Sequence, residues 1–364
     1  MIERNPFEEG TTPRPHIQQP WIETPLVEST VLSKIAGCRI FLKLENLQPS
    51  SSFKSRGIGN LMLQSIADRK SSSSSSSQAD DRPLHFYSSS AGNAGLACVT
   101  AATSLGYASS VVVPLGTDDA TIAKLRAAGA SEVVPHGDSW FFADQYLRET
   151  AIPAAEARGE QGVYIHPFDH PAIWAGASTM VEEIQKQMPD GERPDAIVCS
   201  VGGGGLFSGV ISGLDRVGWG NDVRVLPVET LGADSLAQSL QENQLVTLTG
   251  ITSVATSLGA IRVSENAFKQ AQRPNVTSVV LDDAEACAAC WRFLDDERML
   301  VEPACGASVA LAYDGRLKHY LKDFAPGSKV VIVVCGGSKI SLDVLNKYRE
   351  TYQARNEELA KSYV

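Results

Sequence analysis

The sequence lacks the features that mark several large classes of protein. Its 364 residues contain 32 Lys and Arg against 42 Asp and Glu, so the formal net charge is −10 rather than positive. Without an excess of basic residues to neutralise phosphates, we expect no nucleic-acid partner. No apolar run approaches the roughly 20 residues that span a bilayer, so we expect no contact with a membrane either.

The cysteines and the first residues bear on the compartment. Seven cysteines are an odd number without a disulfide-framework spacing, which fits a reducing environment. Cys287 and Cys290 form a C-x-x-C pair, but no second pair or nearby histidine completes a zinc site, so we interpret both as helix-packing residues. Residues 1–9 lack the apolar core of a signal peptide and are too acidic for a typical mitochondrial presequence. We therefore expect a cytoplasmic protein.

Short apolar segments alternate with helical patterns along most of the chain. Strands are predicted at residues 40–45, 84–87, 110–114, 132–135, 196–200, 223–228 and 329–335. Valine-rich strands of this length, separated by helices, form parallel sheets that are covered on both faces. The pattern predicts an α/β protein with two open parallel-sheet lobes. In such folds a ligand binds at the carboxyl ends of the strands, here in the cleft between the lobes.

A run of serines interrupts this pattern. It occupies residues 71–77, between a helix predicted at 55–68 and the strand predicted at 84–87. Because serines cannot bury apolar surface, we predict a flexible surface loop inserted between these two elements.

One lysine stands in an unusual setting. Lys54 lies within Ser-Ser-Phe-Lys-Ser-Arg-Gly (residues 51–57), among small hydroxylated residues and directly after an aromatic one. Lysine can form a Schiff base with an aldehyde cofactor, and burial lowers its pKa so that it can also act as a base. An ordinary exposed lysine is the alternative, and this segment alone does not decide between the two.

Two further loops have the composition of anion sites. Residues 88–95 run from a strand into a helix, where backbone N–H groups and the side chains of Ser90 and Asn93 suit a carboxylate or phosphate. A capped turn would favour the same residues. Four glycines at 202–205 follow another strand and would let the backbone approach an anion closely. They do not form a dinucleotide fingerprint, because Phe207 or Ser208 stands at the third glycine position, and no P-loop lysine follows.

A third loop begins at Cys335, at the end of an apolar strand. An isolated cysteine there is commonly a packing residue, but in a cleft it could instead face a cofactor ring. No neighbouring group makes it a convincing thiolate nucleophile.

Together, the motifs resemble those of the pyridoxal-phosphate enzymes of fold type II, and most closely the L-serine/L-threonine dehydratases. The lysine segment, Ser-Ala-Gly-Asn-Ala-Gly, the glycine run and Cys-Gly-Gly-Ser occur in that order. The segments at 167–169, 229–233 and 301–307 also resemble that subfamily, and the resemblance extends from about residue 24 to 343. It implies three-layer αβα lobes of the tryptophan synthase β kind. The large domain would comprise 1–49 and 161–364, and the small domain 50–160 with the serine run as an insertion.

The resemblance also implies roles for individual residues. Lys54 would bind pyridoxal phosphate covalently and then take the Cα proton of the substrate. The other implied cofactor contacts are Phe53 near the ring, Asn93 on the ring hydroxyl, Cys335 at the pyridine nitrogen, and the backbone amides of Gly202, Gly203, Gly204 and Gly205 around the phosphate. The substrate carboxylate would be held by Ser90, Asn93 and Ala94. A monovalent cation such as K⁺ would lie near Gly202, Glu229, Ala233, Leu258 and Ala260.

The implied reaction is the α,β-elimination of water from L-serine, and from L-threonine, giving pyruvate or 2-oxobutyrate and ammonia. Such a lyase would serve amino-acid catabolism and gluconeogenesis, and a homodimer is expected. Ala91 stands where serine racemases of this fold carry a base, so a racemase is disfavoured. Only about twenty residues follow position 343, which argues against an isoleucine-sensitive threonine deaminase. A cysteine synthase-like β-replacement enzyme and, in a different class, a catalytically silent binding protein are the alternatives.

Overall fold

The computed structural model describes residues 19–75 and 82–363 and contains two β-sheets covered by helices. The strands are β1 (Leu26–Glu28), β2 (Arg39–Lys43), β3 (Leu84–Ser88), β4 (Ala108–Val113), β5 (Glu132–Pro135), β6 (Gln161–Tyr164), β7 (Ala196–Ser200), β8 (Arg224–Thr230), β9 (Val279–Leu281) and β10 (Lys329–Val333).

The main helices alternate with these strands. They are α1 (Thr30–Ala36), α2 (Lys54–Ser75), α3 (Asn93–Leu105), α4 (Asp119–Ala127), α5 (Trp140–Tyr146), α6 (Ile152–Ala157), α7 (Pro171–Gln187), α8 (Gly205–Arg216), α9 (Ser235–Gln241), α10 (Glu265–Ala271), α11 (Asp283–Glu297), α12 (Pro303–Val309), α13 (Arg316–Tyr320) and α14 (Leu342–Ala360). A π-helical turn, Leu147–Ala151, joins α5 to α6, and short 3-10 turns lie at Glu45–Leu47, Pro189–Gly191, Thr256–Leu258 and Ala310–Ala312.

The larger sheet has the strand order β1-β2-β10-β7-β8-β9, and the smaller sheet has the order β5-β4-β3-β6. All neighbouring strands run parallel except β1, which pairs with β2 in the antiparallel direction. Parallel neighbours must be joined by crossover connections, which explains why helices separate the strands along the chain. The prediction of an α/β fold with parallel sheets is confirmed.

Each sheet has its own apolar core. In the larger sheet, β7 is buried along its whole length, and Phe207 of α8 and Phe293 of α11 are fully buried. In the smaller sheet, Phe86 of β3 belongs to a cluster with Ile58 of α2. Burying one such side chain contributes about 1.5–3 kcal/mol, so the two sheets give the loops at their edges a rigid support.

The prediction of a loop for the serine run was wrong for residues 71–75, because α2 continues to Ser75. The first part of α2 buries Ile58, Met62 and Ile66, so the helix is already formed by packing when it reaches the serines. Adding a serine to an existing helix costs little free energy, although serine is a weak helix former, whereas nucleating a new helix costs much more. Ser71 also donates a hydrogen bond from its hydroxyl to the Ala67 carbonyl over 3.1 Å. Ser76 and Ser77 lie outside the described residues.

The two sheets use different parts of the chain. The smaller sheet takes β3 to β6, and the larger one takes the strands before and after them. Since β6 (Gln161–Tyr164) pairs in the smaller sheet, it lies beyond the boundary predicted at residue 160. The domain limits, 1–49 with 161–364 and 50–160, stay a prediction. In the described part of the chain, no helix combines the length and apolar character needed to cross a bilayer.

Candidate active site

Lys54 is the first residue of α2, at the end of the connection that follows β2. Its Nζ donates a hydrogen bond to the Pro167 carbonyl over 2.6 Å and lies 5.2 Å from the centre of the Phe53 ring. Burial lowers the pKa of Lys54 from 10.5 to about 8. About a tenth of such an amine is neutral at pH 7, far more than for an exposed lysine, and the neutral form is the one that acts as a nucleophile or base.

The glycine loop (residues 202–205) connects β7 to α8. No described residue accepts a hydrogen bond from the backbone N–H groups of Gly202, Gly203 or Gly204. Gly205 begins α8, whose first N–H groups have no intrahelical partner. A Cβ at Gly203 would lie within 2.5 Å of three carbons of the Phe168 ring, so a side chain there has no room. The loop therefore offers a close-fitting row of amide donors of the kind that binds a phosphate.

The Asn93 loop (residues 88–95) leads from β3 into α3. A Cβ at Gly95 would overlap the carbonyl oxygen of Ser90, so only glycine permits this close turn. The Ser90 hydroxyl accepts a hydrogen bond from the N–H of Gly92 over 3.2 Å. No described residue accepts a hydrogen bond from the N–H groups of Asn93 and Ala94. These amides, at the N-terminus of a 13-residue helix, can bind a carboxylate.

The side chain of Asn93 joins the small-sheet loop to the other side of the cleft. Its Nδ2 donates to Glu302 over 2.8 Å, and its Oδ1 accepts from both the N–H and the hydroxyl of Ser338 at 3.0 Å. Glu302 is buried, and its other carboxylate oxygen accepts from the N–H of Lys339 over 3.2 Å. Burial raises the pKa of Glu302 above its usual value.

Sequence reasoning assigned no role to Glu302, Pro167 or Phe168, although all three lie in segments that resembled the subfamily. For Glu302, a signal exists in the sequence: an acidic residue directly before a helix-starting proline, within an otherwise apolar run. For Pro167 no side-chain signal exists, because Lys54 contacts its backbone carbonyl.

Cys335 is buried two residues beyond the end of β10, although the predicted strand extended to this position. Its sulfur lies 3.7 Å from the Ser200 hydroxyl, and its carbonyl accepts a hydrogen bond from the N–H of Phe53 over 3.1 Å. A hydrogen bond with Cys305, together with burial, raises the pKa of Cys335 well above its usual value. The group is therefore a neutral thiol near pH 7, and its backbone fixes the residue before Lys54.

Glu229, on β8, is a completely buried carboxylate. Its two oxygens accept hydrogen bonds from the N–H groups of Leu236 and Ala237, each over 2.8 Å. Burial raises the pKa of Glu229 to about 8, against the effect of these two donors. Nearby, a Cβ at Gly202 would lie 3.0 Å from the Cα of Leu258, so the backbones of these two predicted positions are adjacent. Among the described residues, no group of three or more His, Cys, Asp or Glu side chains could hold a metal ion.

The contacts join most of the predicted residues into one site. From Lys54, one path runs through Pro167 and Phe168 to the glycine loop, and another runs through Phe53 and Cys335 to Ser338 and Asn93. The free amides of the glycine loop, the desolvated lysine and the neutral thiol fit the phosphate, aldehyde and ring nitrogen of pyridoxal phosphate. The roles of the individual residues stay predictions.

Comparisons with known proteins also indicate a pyridoxal-phosphate enzyme. The sequence model of the family "Pyridoxal-phosphate dependent enzyme" matches residues 17–336. The L-serine dehydratase of Saccharomyces cerevisiae (strain RM11-1a) is 42% identical over 340 residues, which cover 90% of this chain and 97% of that protein. The L-serine dehydratase/L-threonine deaminase of Bos taurus is 44% identical over 324 residues, covering 88% and 92%.

Solved structures are also similar. The crystal structure of a fungal L-serine ammonia-lyase from Rhizomucor miehei has a TM-score of 0.82 and 35% sequence identity, covering 92% of this chain and 100% of that one. The processed form of threonine deaminase isoform 2 from Solanum lycopersicum has a TM-score of 0.73 and 26% identity, covering 91% and 83%. The chain therefore belongs to the family of pyridoxal-phosphate dependent enzymes, with the fold type II architecture that its ordered motifs predict.

Proposed function

We propose that this protein is a pyridoxal-phosphate dependent dehydratase that eliminates water from L-serine, and from L-threonine, to give pyruvate or 2-oxobutyrate and ammonia. The observation that carries the proposal is the desolvated amine of Lys54, which is bonded to the Pro167 carbonyl beside the glycine loop and follows Phe53, whose N–H is bonded to the Cys335 carbonyl. The relatives named L-serine dehydratase, which align with most of the chain, support the same reaction.

Lys54 would hold the cofactor and then act as the base. When bound, pyridoxal phosphate supplies an aldehyde that bonds to an amine and a ring that withdraws electrons from the substrate Cα. The amides of Gly202, Gly203, Gly204 and Gly205 would hold the phosphate, and Phe53 would pack near the ring. With a pKa of about 8, the Lys54 amine can accept the Cα proton near neutral pH.

The Asn93 loop would orient the substrate. We infer that its carboxylate binds the Ser90 hydroxyl and the free amides of Asn93 and Ala94, which lie at the positive end of the α3 dipole. The Asn93 side chain, held by Glu302 and Ser338, would be in place to hydrogen-bond the ring hydroxyl.

The neutral thiol of Cys335 favours elimination over competing reactions. A neutral thiol at Cys335 would leave the ring nitrogen of the cofactor largely unprotonated, whereas a carboxylate there would stabilise the protonated ring and strengthen its electron withdrawal. Weaker electron withdrawal would favour loss of the β-hydroxyl over racemisation or transamination. Ala91 supplies only a methyl group, so no side chain at that position can return a proton from the opposite face as a racemase requires.

A monovalent cation such as K⁺ would complete the site near Gly202, Glu229, Ala233, Leu258 and Ala260. The support is the carboxylate of Glu229, which is fully buried and pairs with no basic side chain in the described part of the chain. A cation beside Glu229 would stabilise its ionised form and so oppose the effect of burial, which raises the pKa of this group to about 8. Measuring the rate of L-serine turnover in KCl and in LiCl tests whether this cation is required. Equal turnover rates in the two salts would contradict the cation site.

A homodimer in the cytoplasm would be consistent with the reaction. Light scattering after size-exclusion chromatography measures the mass of the assembly, and microscopy of a fluorescent fusion locates the protein.

The proposal is tested by giving the purified protein L-serine, L-threonine and D-serine separately. We expect the visible band of bound cofactor, and 2-oxo acid from both L-isomers but not from D-serine. Cofactor binding without any 2-oxo acid, but with product from an added sulfide and an activated serine, would favour the β-replacement enzyme. The absence of a band even with added pyridoxal phosphate would favour the silent binding protein.

A further inference from the structure

Two residues after Lys54, α2 carries an arginine that is completely buried. The guanidinium of Arg56 forms two-pronged hydrogen bonds with two carboxylates. Its distances are 2.7 Å for both bonds to Glu45, and 2.5 and 2.6 Å for the bonds to Glu183. It also donates to the Thr179 hydroxyl over 3.0 Å. All three of its nitrogens are therefore engaged, in the fork geometry that only arginine provides.

The charges of this group balance. Lys43 is also fully buried and donates to Glu183 over 2.6 Å, so the Arg56 cluster (Lys43, Glu45, Arg56 and Glu183) contains two cations and two anions. Burial opposes ionisation of the guanidinium, but the carboxylates of Glu45 and Glu183 outweigh it and raise the pKa of Arg56.

The Arg56 cluster connects α2, which begins at Lys54, with α7 and with the turn after β2. Arg56 lies in the first turn of α2, Glu45 in the 3-10 turn that follows β2, and Glu183 on α7. The backbones also meet closely, since a Cβ at Gly176 of α7 would lie 2.9 Å from the Arg56 carbonyl carbon. Pro167, whose carbonyl accepts the hydrogen bond of Lys54, lies in the loop directly before α7. The helix that binds Arg56 through Glu183 therefore also follows the contact of Lys54.

Stability alone gives a weak reason for such a group. A buried ion-pair network can often be replaced by apolar residues at no loss of stability, because desolvation of the charges offsets their attraction. Apolar side chains, however, make no directional hydrogen bonds and so would not fix the orientation of the first turn of α2. We propose that Arg56 is a positioning residue that fixes the first turn of α2 so that the Lys54 amine points at its reaction partner in the cleft. This inference rests on the proposed covalent role of Lys54.

The structure offers a matched control. Arg316 is equally buried and donates to Glu285 over 2.8 Å and to Asp314 over 2.7 Å, but it lies on α13 and pairs with α11 rather than α2. Arg56→Lys and Arg316→Lys each keep one positive charge and remove a buried guanidinium, but only Arg56 makes two-pronged bonds, whereas Arg316 makes one bond to each of two carboxylates. A purely structural role would give the two substitutions the same phenotype.

The experiment measures attachment of the cofactor as well as turnover. Apoprotein is mixed with pyridoxal phosphate, samples are quenched with borohydride at intervals, and the modified peptide containing Lys54 is quantified by mass spectrometry. For Arg56→Lys we expect attachment and kcat to fall about tenfold or more, since a 1 Å displacement of a reacting group can cost about 100-fold. KM for L-serine should change little. Arg316→Lys should lower Tm by a similar amount and leave both rates near wild type.

A pH profile gives a second readout. The rate of cofactor attachment should rise with pH, with a midpoint at about pH 8 in the wild-type protein and in Arg316→Lys. In Arg56→Lys, displacement of the Lys54 amine from its buried position should move this midpoint toward the pKa of an exposed lysine. If Arg56→Lys does not fold, Thr179→Val removes one acceptor from the guanidinium without changing charge, and should slow attachment in the same direction. Unchanged attachment and midpoint in the folded variant overturn the inference alone. Absence of attachment at Lys54 in the wild-type protein overturns the proposed function as well.

Discussion

Adding one methyl group to the glycine loop should weaken cofactor binding without unfolding the protein. In Gly203→Ala, the new Cβ would lie within 2.5 Å of three carbons of the Phe168 ring. Carbon atoms pack at about 3.5–4.0 Å, so the loop or the ring must move by about 1 Å or more. A hydrogen bond of ordinary length is broken by a shift of that size.

The expected loss follows from the chemistry of the loop. Its amides have no acceptor among the described residues, which leaves them free to bind a phosphate. A hydrogen bond to a charged group contributes about 1.5–3 kcal/mol. Loss of one such bond, at about 2 kcal/mol, would raise the Kd of pyridoxal phosphate about 30-fold.

Fluorescence titration of apoprotein with pyridoxal phosphate measures this Kd, and thermal unfolding of the apoprotein measures any general damage. The matched control is Gly327→Ala, because a Cβ at Gly327 meets no atom within 4 Å and the residue lies before β10, away from the cleft. We expect the control to bind as the wild-type protein does. A Kd for Gly203→Ala within twofold of wild type would refute the assignment of the glycine loop to the phosphate.

Two further predictions concern the other parts of the site. Gly95→Ala places a Cβ on the Ser90 carbonyl oxygen, so steady-state kinetics should show KM for L-serine about tenfold or more above wild type if the displaced loop loses one carboxylate bond. Gly116→Ala, whose Cβ has open space, is the control, and an equal KM in the two variants would argue against this loop as the carboxylate site. Attachment of the cofactor to apoprotein should accelerate as pH rises through about 8, because the pKa of Lys54 is lowered from 10.5 and only the neutral amine reacts. At pH 7 that shift makes the neutral fraction about 300-fold larger, whereas an acceleration only near pH 10 would mean that the amine is exposed to water.

Sequence reasoning predicted the sheets where the strands are apolar and buried. The strand at 196–200 has the predicted bounds, and all five of its residues are buried, as its short apolar run predicts. β6 was missed because each of its four residues is only half-buried, so it shows no continuous apolar run. β1 and β9 have three residues each, too few for a pattern.

The candidate site was predictable where its chemistry is local. Lys54, the Asn93 loop, the glycine loop and Cys335 each have a distinctive neighbourhood in the sequence, and they follow the strands β2, β3, β7 and β10 respectively. The partners that fix these groups were not predictable. Asn93 and Glu302 are 209 residues apart, and Arg56 and Glu183 are 127 apart, so no local pattern links either pair. For the serine run, the prediction relied on local composition alone and missed that α2, which is already formed, continues to Ser75.

The central claim is that Lys54 carries the chemistry, and Lys54→Ala tests it most directly. The variant and the wild-type protein are supplied with pyridoxal phosphate and L-serine, and pyruvate, the visible band of the cofactor and Tm are measured. The account predicts no measurable pyruvate and no band from covalently bound cofactor in the variant, with Tm of the apoprotein close to wild type. Pyruvate formation at an appreciable fraction of the wild-type rate in a folded Lys54→Ala protein would contradict it.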